Sequence, residues 1–280
     1  MRRIAFFKMH GLGNDFVVLD ARRETIAVDS TAVRAVADRH TGIGCDQLIL
    51  IEPPVHQLAE AVMRIVNADG SEAEACGNAA RCVAWLLGQE TGQTRVRIET
   101  VAGLLDAELL ADDLVAVDMG PVRTDWRDIP LARRMETLSV NIAAGPLARP
   151  VCCNIGNPHA TFFVRDTDEI DLGALGPIIE SDRLFPERIN VGVATVQSPD
   201  QIRLRVWERG AGITRACGTG ACAALVAAHR RGLTGRQATV ALDGGDLEIL
   251  WRDDEDAHVI MIGPATLAFE GSFDAELFGR

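Results

Sequence analysis

The sequence carries one cysteine signature twice. Ala75-Cys76-Gly77-Asn78 and Ala216-Cys217-Gly218-Thr219 each open an apolar run, and the two cysteines lie 141 positions apart in a chain of 280 residues. Two acidic groups on opposite sides of one carbon can invert a stereocentre, because one takes the proton and the other returns it to the opposite face. A thiol at a helix start lies against unpaired N–H groups and the positive end of the helix dipole. Both favour thiolate, and such sites can bring a cysteine pKa to roughly 3.5–7.5. The glycine after each cysteine admits a ligand close to the backbone, and the same N–H groups can hold a carboxylate. Removing the α-proton of an amino acid moves charge onto its carboxylate. Preorganised donors aimed at that charge contribute ~3–4 kcal/mol each. Cys76 with Gly77 and Asn78, and Cys217 with Gly218 and Thr219, are therefore the candidate acid–base pair and its two oxyanion cradles. Cys82 and Cys222 lie inside the apolar runs and read as packing.

The repetition extends beyond the cysteines. With Cys76 set on Cys217, Met63–Asn67 falls on Leu204–Glu208 without a gap. Asn14, within Gly13-Asn14, precedes Cys76 by 62 residues, and Asn157, within Gly156-Asn157, precedes Cys217 by 60. Gln47 precedes Cys76 by 29, and Asn190 precedes Cys217 by 27. Gly120-Pro121 follows the first cysteine by 44 and Gly263-Pro264 follows the second by 46, counted at the glycines. Offsets that drift by no more than two residues, in one order, imply two copies of one domain. The expected domains are 1–120 with 265–280, carrying Cys76, and 121–264, carrying Cys217. The apolar tail from Ala265 onward is expected to complete the first domain's sheet.

Composition narrows the function. A net charge of −12 argues against nucleic acid, which needs a basic footprint. No apolar run approaches the ~18 residues of a membrane span. The N-terminal apolar stretch Ile4–Phe7 stops at Lys8, too short for a secretory h-region of roughly 7–15 residues. A cytoplasmic location is expected. Seven cysteines without a C-x-x-C suggest free thiols in a reducing compartment rather than a metal site. The adjacent Cys152 and Cys153 read as buried packing. Lys8 is the single lysine and would be the sole Schiff-base candidate for pyridoxal phosphate. No phosphate-binding loop stands beside it, so an amino-acid isomerase built on this chain is expected to need no cofactor.

The elements that must position these residues follow from periodicity. Short strand-like runs recur, among them Phe16–Asp20, Gln47–Glu52, Met63–Asn67, Arg95–Thr100, Leu114–Met119, Thr161–Val164, Val191–Val196, Arg203–Trp207 and His258–Ile262. Asp29 or Ser30 can cap a helix through about Arg39, with Gly42 beyond its end. Asn78–Leu87 and Thr219–Ala228 are apolar nearly all round and read as buried helices, with Gly92 and Gly232 at their exits. The expected fold is α+β: two pseudo-symmetric domains, each a curled, mostly antiparallel sheet around a central buried helix.

With these motifs in place, the chain resembles the diaminopimelate epimerases. The similarity is carried by Phe7-Lys8-Met9-His10-Gly11-Leu12-Gly13-Asn14-Asp15-Phe16, by Arg39-His40-Thr41-Gly42-Ile43-Gly44-Cys45-Asp46-Gln47, and by Asn67-Ala68-Asp69-Gly70-Ser71. It continues through Gly156-Asn157-Pro158-His159, Trp207-Glu208-Arg209-Gly210-Ala211-Gly212 and Ala216-Cys217-Gly218-Thr219-Gly220-Ala221-Cys222. The resemblance implies a cofactor-independent interconversion of L,L- and meso-2,6-diaminopimelate in lysine and cell-wall precursor synthesis. It also implies two domains closing over the substrate, and a homodimer. Cys76 and Cys217 match the family's catalytic cysteines, thiolate base and thiol acid, which exchange roles with direction. His159 and Glu208 match groups that assist proton transfer. Gly77, Asn78, Gly218 and Thr219 match the donors to the reacting carboxylate. Asn14, Gln47, Asn67, Asn157, Asn190, Glu208 and Arg209 match the other substrate contacts. Side-chain chemistry agrees in part: Arg209 can fork onto the distal carboxylate, Glu208 can accept from the distal ammonium, and asparagines read both groups without adding charge.

There are departures. Ala79 stands where the family often has glycine, Ile213 and Arg215 replace other residues, and the chain has no tyrosine, so that Phe269 can keep packing but not a phenolic hydrogen bond. The alternative is a related proline or hydroxyproline racemase, which would have less use for Glu208 and Arg209.

Overall fold

The computed structural model describes residues 2–73 and 76–279; Ala75, the first residue of the earlier repeat motif, lies outside them. The chain divides into two units, Met1–Val117 with Gly263–Arg280, and Asp118–Ile262. The first elements are β1 (Arg3–Gly11), β2 (Asn14–Asp20), α1 (Ser30–Ala37), β3 (Gln47–Glu52), β4 (Ala61–Asn67) and β5 (Glu72–Ala73). They are followed by α2 (Gly77–Thr91), β6 (Arg95–Thr100), β7 (Gly103–Leu109) and β8 (Leu114–Pro121). Next come β9 (Ala143–Ala144), β10 (Leu147–Ala148), β11 (Val151–Asn154), β12 (Pro158–Phe163), α3 (Leu172–Glu180), β13 (Asn190–Ser198), β14 (Gln201–Glu208) and β15 (Gly212–Thr214). The chain ends with α4 (Gly218–Arg230), β16 (Gln237–Leu242), β17 (Gly245–Trp251), β18 (His258–Pro264), β19 (Thr266–Asp274) and a 3₁₀ turn.

The two units repeat one pattern of pairings. In the first, β2 and β3 are parallel, β3–β4 and β4–β5 antiparallel, β4 and β6 parallel, and β6–β7 antiparallel. The second gives the same order with β12 to β17. The register repeats as well. Phe16 faces Gln47 as His159 faces Asn190, and Val66 faces Glu72 as Trp207 faces Ile213. The two-residue difference in offset upstream of the cysteines is absorbed in one connection: residues 53–60 join β3 to β4, whereas residues 199–200 turn tightly between β13 and β14. β19 belongs to the first unit and pairs antiparallel with β1, Arg3 opposite Asp274.

Each sheet is covered on both faces. In the first unit Val17, Leu19, Leu48 and Leu50 pack in one cluster with Val33 and Val36 of α1. Successive strand residues alternate in direction, so Phe16, Val18, Ile49 and Ile51 turn to the other face, and they too are buried. This explains why β2 and β3 read as unbroken apolar runs: they form a parallel pair buried on both sides. α2 packs on β1, β2, β6 and β7, and α4 on β11 to β14, β16 and β17. α4 is buried from Gly220 to Ala228, as its all-round apolar pattern requires. Gly92 closes α2 in the left-handed conformation, φ 71°. Asp29 caps α1, accepting from the Ala32 N–H at 2.8 Å, and the helix stops at Ala37, two residues short of the expected end.

α3 was not expected. Its Gly173, Gly176 and Pro177 are poor helix formers, and tertiary contacts decide in its favour. The Asp171 carboxylate caps it, accepting from the Ala174 N–H at 3.1 Å. Gly176 lies under the Trp207 ring, where a Cβ would come within 2.5 Å of Cγ. The glycine that weakens the helix is thus what lets it seat against the strand leading into Glu208.

Candidate active site

In each unit the candidate cysteine is the N-cap of the buried helix: Cys76 for α2 and Cys217 for α4, both with extended backbone. Their carbonyls accept the first helical bonds, from the Ala80 and Ala221 N–H groups at 2.9 and 3.0 Å. The N–H groups of the first turn have no acceptor within the helix, which is what an oxyanion cradle needs.

The side chains diverge. Cys217 Sγ folds back over its helix, accepts from the Gly220 N–H at 3.3 Å and meets the Thr219 hydroxyl at 3.6 Å. Cys76 makes no side-chain cap bond; its Sγ lies 3.7 Å from Asn14 Oδ1. Asn14 Oδ1 also accepts from Asn78 Nδ2 at 3.1 Å. Alongside, Gln47 Nε2 donates to Asn67 Oδ1 at 2.9 Å, so two expected contacts of the first unit are joined. Gln47 Oε1 is buried without a hydrogen-bond partner among the described residues.

In the second unit Glu208 ends β14 and accepts a hydrogen bond from the Thr214 hydroxyl of β15. Burial raises its carboxyl above the usual range, opposed by the Thr214 hydroxyl and the Cys217 thiol that donate to it. Burial pushes the Cys217 thiol well up, the Glu208 charge adds to this, and donation from Thr219 and Gly220 only partly offsets it. The expectation that a helix start favours thiolate is corrected here: desolvation and a neighbouring carboxylate outweigh the dipole, and Cys217 rests as a thiol. His159 is buried, and its Nε2 meets Asn157 Oδ1 at 2.7 Å. Burial, then the Arg209 charge, lowers its pKa to about 3, so the ring is neutral at physiological pH. Asn190 donates to the Pro158 carbonyl at 2.9 Å and accepts from the Arg209 backbone N–H at 2.9 Å. Arg209 Nη1 donates to the Glu187 carbonyl at 3.0 Å, and the side chain is otherwise exposed.

Cys82, Cys152, Cys153 and Cys222 are fully buried, and burial pushes the Cys82 and Cys153 thiols up to about 12. Lys8 ion-pairs with Asp15 at 2.5 Å and donates to the Gly44 carbonyl. Among the described residues no His, Cys, Asp and Glu side chains group as a metal site would require, and no helix is long and apolar enough to cross a membrane.

Several supporting residues went unread in the sequence. Thr214 is one. Glu180 is another: it accepts from Trp207 Nε1 at 2.7 Å and the Gly210 N–H at 3.0 Å, and so holds the turn carrying Arg209. Arg81, fully buried in α2, is a third. A single charged residue interrupting the apolar run 78–87 was the available signal for it.

Two equivalent α+β units, each with a cysteine at the start of its buried helix, define a two-domain racemase and epimerase fold. A hydroxyproline epimerase from Agrobacterium vitis shares it, with a TM-score of 0.70 at 19% identity over 99% of this chain and 94% of that one. The chain itself belongs to the diaminopimelate epimerase family and is an isomerase: it matches that family over residues 6–124 and 151–268, one segment per repeat. The diaminopimelate epimerase of Rhodospirillum centenum (strain ATCC 51521 / SW) is 58% identical over 97% of this chain and 93% of its own length. That of Acidiphilium cryptum (strain JF-5) is 57% identical over 97% of each.

Proposed function

We propose that this chain interconverts L,L- and meso-2,6-diaminopimelate without a cofactor, with Cys76 and Cys217 as the two acid–base groups. The observation that carries this reading is the repeated placement of a cysteine at the cap of a buried helix, in a chain 58% identical to a diaminopimelate epimerase. A thiolate removes the α-proton, the carbanion's charge spreads onto the α-carboxylate, and the other thiol delivers a proton to the opposite face. The enzyme ends one proton transfer out of phase and runs equally in reverse. The first-turn N–H groups at Gly77, Asn78, Gly218 and Thr219 supply the donors for the growing negative charge.

For Cys217 to act as base its proton must leave, and Glu208, which accepts from that thiol, is the group to take it. His159 is assigned to the same kind of assistance, as a neutral ring with one hydrogen-bond donor and one acceptor. Arg209 is assigned to the distal carboxylate, with Nη1 tied to the Glu187 carbonyl and Nε with Nη2 able to fork onto the ligand. The unpartnered Gln47 Oε1 suits an ammonium. Asn14, Asn67, Asn157 and Asn190 complete the reading of the substrate's polar groups. From the family resemblance we extend the proposal to a cytoplasmic homodimer serving lysine biosynthesis.

The test is exchange in heavy water. Purified, reduced protein with L,L-diaminopimelate in D₂O and no added cofactor should yield meso product deuterated at the inverted carbon. Cys76→Ala and Cys217→Ala should each abolish it. Exchange into proline instead would keep the two-thiol chemistry and overturn the substrate, and silence with both would overturn the reading.

A further inference from the structure

A chain of side chains in the first unit runs from a group that can only donate to one that can only accept. Arg81 Nη2 donates to Asn78 Oδ1 at 2.9 Å, Asn78 Nδ2 to Asn14 Oδ1 at 3.1 Å, and Asn14 Nδ2 to Asp46 Oδ2 at 3.0 Å. An amide can ordinarily turn over and exchange its oxygen for its nitrogen. Here neither can. A guanidinium has no acceptor and a carboxylate no donor, so turning Asn78 sets NH₂ against Arg81, and turning Asn14 sets C=O against Asp46. We propose that Arg81 and Asp46 are positioning residues that fix the polarity of both amides, so that the Asn14 carbonyl oxygen, and never its NH₂, faces the Cys76 sulfur.

Both ends are anchored. Arg81 is fully buried and donates from Nε to the Pro264 carbonyl at 3.2 Å. Asp46 accepts from Arg39 Nη2 at 2.8 Å and from the Asp15 N–H at 3.1 Å. Asp15 in turn is tied to Lys8 and Arg39. Burial alone would raise the Asp15 carboxyl, but the hydrogen bonds from Arg39 and Lys8 hold it well below the carboxylate range.

Among the described residues the second unit has no such chain. By the repeat, Cys222 occupies the place of Arg81, Thr219 that of Asn78 and the buried Ile189 that of Asp46. The counterpart of Asn14, Asn157, turns its oxygen to His159. The two thiols are therefore served differently. Cys217 Sγ receives the Gly220 N–H, whereas Cys76 meets a carbonyl oxygen, which accepts from the thiol and repels the thiolate.

The prediction concerns when Cys76 loses its proton. The titratable and charged groups on the elements that carry this chain are Arg3, Lys8 and His10 on β1, Asp15 and Asp20 on β2, Arg39 after α1, Asp46 before β3, and Arg81, Cys82 and Glu90 on α2. In Asp46→Asn alone Asn14 is still held by Asn78 Nδ2, whose polarity Arg81 sets, and in Arg81→Gln alone it is still held by Asp46; only Arg81→Gln with Asp46→Asn lets the two amides turn together, and each single variant then controls for the charge it removes. Asp46 is 45% exposed, so its charge is screened at 1 M salt, where the Debye length is about 3 Å. The experiment is the pH dependence of iodoacetamide alkylation of Cys76 in 1 M salt, read by peptide mass spectrometry. In the Arg81→Gln/Asp46→Asn double variant the midpoint should fall by about one unit below that of either single variant and the rate at pH 7 rise about tenfold, since hydrogen bonding to the charged form favours it. Asp46→Glu, which keeps an acceptor-only carboxylate, should keep the wild-type midpoint. A double-variant midpoint no lower than those of the single variants, or a fall in Asp46→Glu equal to that in the double variant, overturns the proposal. The inference rests on the proposed role of Cys76 only for its consequence in turnover. Alkylation needs no substrate, so a failed heavy-water exchange and a failed alkylation shift are separate results.

Discussion

Gly220→Ala places a methyl against the Cys217 thiol. A Cβ on residue 220 would lie 3.1 Å from Val206 Cγ2, 3.2 Å from Cys217 Sγ and 3.3 Å from Cys217 Cβ. The thiol must give by a few tenths of an ångström, because Val206 is a buried strand residue. The repeat supplies the control. Ala79 is the counterpart of Gly220 and is fully buried in α2, yet it is tolerated because the Cys76 side chain makes no cap bond and meets Asn14 instead. Cys217 folds back onto the Gly220 N–H, so the same methyl strikes the sulfur. A misplacement of 1 Å in a reacting group can cost about 100-fold. A shift of a few tenths, together with a weakened N–H donor to the sulfur worth about 1.5 kcal/mol when charged, should lower kcat about tenfold. Stability should change little, since the helix-propensity gain of about 1 kcal/mol opposes an overpacking cost of about 1–3 kcal/mol. Deuterium incorporation at saturating substrate gives kcat, and urea denaturation gives stability. Ala79→Gly should leave kcat within about twofold while losing up to about 1 kcal/mol of stability. A Gly220→Ala enzyme with wild-type kcat, or equal rate losses in both variants, would refute the claimed difference between the two thiols.

Two further outcomes follow from the titrations. Above pH 6.5 His159 is neutral folded and unfolded and contributes nothing; below it, the unfolded chain takes a proton that the folded site, with pKa about 3, refuses. Stability therefore falls by ~1.4 kcal/mol per pH unit from this group down to about pH 3. His159→Phe, which installs the residue found at the equivalent Phe16, should flatten the decline between pH 6 and 4 by about 2.5 kcal/mol, measured as the difference in urea unfolding; parallel curves would count against a buried neutral ring. Glu208→Gln should cost about 10²–10³-fold in exchange rate and shift the Cys217 alkylation profile to lower pH, because the second-largest cause raising that thiol is removed. A shift to higher pH would show that the carboxylate does not act as described.

What the sequence by itself determined is what depends on short-range pattern and on repetition. The doubled Cys-Gly, the matched Asn14/Asn157 and Gln47/Asn190, and the two all-apolar runs were enough for two α+β domains, each with a cysteine at the start of a buried helix. Burial and period are local properties of such runs, so α2 and α4 were readable. α3 was not: Gly173, Gly176 and Pro177 argue against a helix, and only the close approach of Gly176 to the Trp207 ring, more than thirty positions along the chain, accounts for them. The protonation states were not legible either. A helix start predicts thiolate from local dipoles alone, whereas Cys217 is governed by desolvation and by Glu208, brought beside it by the β14–β15 turn. The difference between the two thiols lay equally out of reach. Arg81, Asn78, Asn14 and Asp46 are scattered over 68 positions, and hydrogen-bond polarity exists only once folding has set donor against acceptor. Tertiary structure thus decided which cysteine faces a carbonyl and which faces a carboxylate, because both are through-space effects that no spacing along the chain encodes.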